Sequence, residues 1–123
     1  MVLDKEELRQ RVRIQDVWLG IARTAMLAAA VPEGKMRFVL MITLTGDTQQ
    51  NRNVQIEKLE EDASYTMKWS NVPVAAAAMV HIMPNYDIEQ PVIVLQGGSN
   101  LYGRVSGNSL QSIVHYIDDE INV

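Results

Sequence analysis

The stretch Asp4–Val31, DKEELRQRVRIQDVWLGIARTAMLAAAV, constrains this chain more than any other. Up to Asp16 it is charged, with apolar residues only at intervals (Leu8, Val12, Ile14). From Val17 to Val31 only Gly20, Arg23 and Thr24 interrupt an apolar run. Asp4 as N-cap with Glu7 three residues on makes a capping box, and Pro32-Glu33-Gly34 ends the segment. The reading is one long N-terminal helix. A helix apolar on every side must be covered on every side. At 1.5 Å per residue it would span roughly 40 Å, against about 35 Å for the diameter of a domain this size. Its second half is therefore expected to pack on a sheet and on a second copy of itself. The interface residues on that reading are Trp18, Ile21, Ala22, Ala25, Met26 and Ala29.

Downstream, Met36–Thr45 alternates on both faces and predicts a central strand, with the helix on one side. Gly46–Asn53 is polar and reads as a loop, Val54–Leu59 as a strand with one wet face, and Ser64–Ser70 as a third strand of an antiparallel meander. Asn71, Pro73 and the alanines 75–78 predict a short middle helix to about Ile82. Val92–Gln96 and Leu101–Val105 flank Gly97-Gly98-Ser99-Asn100 and predict a hairpin. Leu110, Ile113, Val114, Ile117 and Ile121 fall at helical spacing and predict a C-terminal amphipathic helix. The expected fold is a single α+β domain over residues 1–123, in the order α-β-β-β-α-β-β-α with a sheet of about five strands.

With 123 residues and no cysteine, disulfides, thiolate metal sites and cysteine nucleophiles are excluded. The net charge of -4 argues against a domain built to grip phosphate backbones. Charge is uneven: residues 1–37 hold seven basic side chains against five acidic ones, and the remainder four against ten. Arg9, Arg11 and Arg13 form a possible basic contact patch. Asp118, Asp119 and Glu120, placed by this reading at a helix C-terminus against its dipole, form a possible acidic counterpart. No signal peptide or membrane span is read from the sequence, so the expected location is cytoplasmic or within a particle.

His81 reads as a packing residue in the middle helix. His115 with Asp118 and Asp119 on one helical turn could hold a divalent metal, or form a surface ion pair. No motif or residue pattern requires a cofactor, and none places a nucleophile beside a base. The segment Val92–Asn108, VIVLQGGSNLYGRVSGN, resembles the first half of an Sm-type RNA-binding repeat through Gly98, Leu101, Gly103 and Val105. The resemblance implies a ring-forming small barrel with RNA on one face, although the Arg-Gly strand of that family's second motif is missing. The predicted element order is similar to that of dimeric type III secretion chaperones, a likeness of topology alone.

Three readings of function follow. The first is a non-catalytic, self-associating protein that works through protein–protein contacts, as an adaptor, chaperone-like protein or structural component of a particle. The second is a nucleic-acid binder using Arg9, Arg11, Arg13 and Lys35 or the Sm-like hairpin. The third is an enzyme or ligand carrier with an apolar pocket lined by methionines, Trp18 and Trp69.

Overall fold

A computed structural model of the chain describes residues 11–46, 50–82, 91–107 and 109–120, with the side chains of Asp119 and Glu120 excepted. Nine strands run through them: β1 Arg13–Leu19, β2 Thr24–Ala25, β3 Lys35–Thr45, β4 Arg52–Leu59, β5 Tyr65–Val74, β6 Met79–Ile82, β7 Ile93–Gln96, β8 Asn100–Val105 and β9 Leu110–Glu120. They form two antiparallel sheets. Sheet A has the order β1-β9-β3, with β6 and β7 sharing the far edge of β3; sheet B has the order β2-β8-β4-β5. Every connection crosses from one sheet to the other except β4–β5 and β6–β7. That winding is a jelly roll.

One core lies between the sheets. Leu19, Val39, Ile42, Leu44, Leu95, Leu110 and Val114 enter it from sheet A, and Val54, Ile56, Val72, Val74, Leu101 and Val105 from sheet B. β3 is central, as its two-faced alternation predicts. A bulge between Val39 and Met41 sends Val39 into this core and Leu40 to the opposite face. There Leu40 meets Ile117, Val12 and Phe38. On β8, Gly103 leaves room for Leu19: a Cβ at Gly103 would lie 2.8 Å from Leu19 Cδ1.

The α+β expectation is overturned, since strands stand where all three helices were predicted. Of the first predicted helix, residues 4–10 lie outside the described residues. Its remainder holds two strands and a loop. Along β1, Val17 and Leu19 pack inward while Ile14, Asp16 and Trp18 face out. Past Gly20, whose carbonyl accepts from Val105 N–H, the chain crosses to sheet B. The apolar run is continuous because the chain turns a corner: Met26, Leu27 and Val31 are buried, and Ala28, Ala29 and Ala30 are exposed loop residues. The middle helix is replaced by the end of β5, a turn through Ala75–Ala78 with Ala77 at φ 57°, and β6. The C-terminal helix is replaced by β9, paired with both β1 and β3. Helix propensity from alanine lost here to β-branched and aromatic residues that fit a pleated, half-buried surface.

Two smaller expectations also change. β4 and β5 do form a hairpin, but β3 belongs to the other sheet, so there is no three-stranded meander. Gly97 and Gly98 turn the chain as predicted, with Gly98 at φ 86°. The strands they join lie in different sheets, so the hairpin on which the Sm-type resemblance rested is absent. The order shared with type III secretion chaperones disappears with the helices.

Candidate functional site

The predicted interface residues do not share a surface. Met26 is fully enclosed in the core of its own chain, and Ala25 is half-buried on β2 beside Tyr102. Ile21, Ala22 and Ala29 are exposed around the β1–β2 corner and the loop beyond. Trp18 alone projects from the outer face of sheet A. The paired charges also sort differently. Arg9 lies outside the described residues. Asp118 sits directly opposite Arg37, which grips its carboxylate with two bonds of 2.7 and 3.1 Å. Arg11 Nη2 donates to the Asp118 carbonyl, at 3.1 Å. Asp119 and Glu120 continue β9 opposite Met36 and Lys35, so no helix dipole opposes them.

Arg11 and Arg13 line an open cleft of about 550 Å³ with Val12, Pro32, Lys35 and Asp118. The metal reading of His115 loses its geometry. On a strand, His115 and Asp118 point to opposite faces, and Asp119 stands four residues, about 13 Å, along. Among the described residues no three His, Asp or Glu side chains gather in a metal-binding group. Trp18 and Trp69 lie in different sheets, Trp18 facing out and Trp69 packing against the core, so they line no common pocket.

Two surfaces remain. The first is the outer face of sheet A. Register places Ile14 beside His115, Asp16 beside Ile113 and Trp18 beside Gln111. On the other flank of β9, Met41 pairs with His115 and Thr43 with Ile113. β6 adds His81 opposite Thr43 and Met79 opposite Thr45. Ile14, Trp18 and Met79 are 62%, 64% and 57% exposed. Charge is sparse on this face. Asp16 accepts a 2.6 Å hydrogen bond from Gln111, and His81 shares one of 2.9 Å with Thr43. Burial, and then the neighbouring His81, push the His115 pKa down.

The second surface is the outer face of sheet B, where Glu57 is buried between two arginines. Arg23 donates to both its oxygens, at 3.3 and 3.0 Å, and those bonds raise the Arg23 pKa. Arg104 Nε lies 3.3 Å from Glu57 Oε1. The Arg23 guanidinium rests 3.7 Å from the centre of the Tyr65 ring, which meets Tyr102 edge-on at 5.4 Å.

Next to this cluster is a half-open groove of about 400 Å³. A bulge builds it. Val54 faces Val72 and Ile56 faces Trp69, so the single residue Gln55 opposes both Ser70 and Asn71. Arg104 is the partner of Gln55 on the other side, in β8. Asn53 and Ser106 close one end, bonded to each other by Asn53 N–H to Ser106 Oγ and Ser106 N–H to Asn53 carbonyl. Ile21 supplies an apolar wall.

The chain matches no known protein family and no curated protein. What it does must be argued from these surfaces. The sequence reading missed Arg37, Glu57, Arg104 and the Ser70-Asn71 bulge. Outward alternation of Tyr102 and Arg104 in β8 was a signal for the sheet B face, but their neighbours are set by strand pairing. No glycine or proline marks the bulge.

Proposed function

We propose that this protein is a non-catalytic, self-associating subunit of a larger assembly, and that the outer face of sheet A is the contact between copies. Residues 13–31, the larger part of the long helix expected from the sequence, are strand and loop instead. The observation that carries the proposal is instead that Ile14, Trp18 and Met79, all more than half exposed, share one sheet face with Ile113 and Met41, Gln111 and Thr45 standing between Trp18 and Met79. Large apolar side chains gathered on one face mark interaction surfaces, whereas scattered ones do not.

A second copy fits this face because few charged side chains stand on it. Two such faces meet without the repulsion expected elsewhere on a chain of net charge -4. Jelly rolls serve as coat subunits of particles, an analogy of fold only.

Light scattering at micromolar concentration tests the proposal. The expected mass exceeds the 13.8 kDa of one chain, and Trp18→Ser lowers it while leaving the melting temperature of the fold nearly unchanged. Met26→Asp is the contrasting variant: it places a charge in the core and should unfold the chain outright. A wild-type monomer at every concentration would remove the proposal.

A further inference from the structure

The groove on sheet B offers an unusual set of groups for a sheet surface. We propose that it binds a saccharide bearing a carboxylate, with Gln55, Asn71 and Ser70 reading ring hydroxyls and Arg104 taking the carboxylate. This is a site separate from the self-association face, and it stands or falls independently of that proposal.

Each amide side chain presents a donor and an acceptor at once, and each serine hydroxyl does both. Sugar hydroxyls need such mixed partners, because each donates one bond and accepts others. The bulge crowds Ser70 and Asn71 against Gln55, so three of these groups converge where a regular pairing would supply two. Bulges are found where a sheet re-aims side chains toward a function. Among the described residues lining the groove there is no carboxylate, and Ile21 offers an apolar wall for the C–H face of a ring.

The charge on the ligand follows from Glu57. That carboxylate is buried and is held by Arg23 through two bonds. One acid cannot neutralise two guanidinium groups, so the Arg23–Glu57–Arg104 cluster carries a net positive charge. Among the described residues the buried Arg104 Nε has no hydrogen-bond partner, although Glu57 Oε1 is 3.3 Å away. Arg104 lines the groove and shares its one counter-charge, Glu57, with Arg23. A planar guanidinium suits a carboxylate in two-pronged fashion. A purely apolar ligand would strip water from the amides without replacing their bonds.

Calorimetric titration of the full chain with methyl glycosides of glucuronic acid, galacturonic acid and N-acetylneuraminic acid tests the site. The matched controls are methyl glucoside, acetate and inorganic phosphate. At least one acidic glycoside is expected to bind at millimolar concentration or tighter, with methyl glucoside about tenfold weaker for want of a charge-assisted bond. Arg104→Gln should bring the acidic glycoside down to the level of the neutral one. Asn71→Ala should weaken both, and Arg13→Gln, in the other cationic cleft, should change neither. Gln55→Ala and Asn71→Ala alter exposed residues and carry the test if Arg104→Gln fails to fold. The inference is overturned if none of the three acidic glycosides binds. Equal binding of acetate or phosphate overturns it too, as does acidic-glycoside binding that survives Gln55→Ala and Asn71→Ala.

Discussion

Arg37 and Asp118 face each other across β3 and β9, and a buried guanidinium closes on the carboxylate through both of its oxygens. A third bond, from Arg37 Nη1 to the Ala29 carbonyl at 2.9 Å, ties the long loop after β2 to sheet A. The Tyr116 ring lies 4.6 Å from the guanidinium carbon. Arg37 therefore has a partner on each of its accessible sides, and the pair secures the end of the sandwich where the loop passes over it.

Removing one member of that pair should cost more than removing the other. Asp118→Ala leaves a buried cation without its counter-charge and is expected to destabilise by about 3 kcal/mol. Arg37→Met leaves a carboxylate that water can still reach, and should cost less. Urea midpoints of the two variants, compared at equal slope, measure the difference.

Stability should fall as the solution is acidified through the histidine range. The His115 pKa is lowered in the folded chain by burial and by His81, so the unfolded chain binds that proton first. Below an ordinary value of about 6.5 each step down in pH favours unfolding, until the lower folded pKa is reached. Above that window His115 has no such effect. Melting temperatures between pH 7.5 and 5 should show the decline, and His115→Gln should flatten it.

Gly103→Ala should destabilise by about 1–3 kcal/mol, because the added methyl meets Leu19 at 2.8 Å and Met26 Sδ at 3.3 Å. Leu19→Val in the same chain should recover part of the loss by opening the space. Thermal denaturation of the single and double variants decides whether the close approach of β1 to β8 is the cause.

Ala77→Gly should stabilise. Ala77 adopts φ 57° in the turn between β5 and β6, a conformation that strains a Cβ by roughly 1–2 kcal/mol. Glycine returns part of this through its floppier unfolded chain, leaving a gain of about 0.5 kcal/mol. A rise in melting temperature of Ala77→Gly checks it, and Ala63→Gly, at φ 68°, should behave alike.

β3, β4 and most of β5 were legible because period-two alternation and β-branched residues agree there. The Gly97-Gly98 turn was legible for the same local reason. β9 was not, because Leu110, Ile113, Val114 and Ile117 satisfy a helical stripe while Leu110, Ser112, Val114 and Tyr116 satisfy a strand. The serine hid the second pattern, although Ile113, Val114, Tyr116 and Ile117 all favour strand. Around Ala75–Ala78 alanine content suggested helix, yet Asn51 Oδ1 accepts the Ala76 N–H and holds those residues in a turn. The sheet B groove was the least readable part. Gln55 and Arg104 become neighbours only through the β4–β8 pairing, and Glu57 shows nothing in sequence of the two cations that bracket it.

The wedging of β9 between β1 and β3 joins opposite ends of the described chain in adjacent rows of one sheet. No nascent piece lacking either flank can knit that sheet. Until β9 arrives, the long apolar β3 waits with one side unzipped, and the molecule is most vulnerable to capture by another strand at that moment.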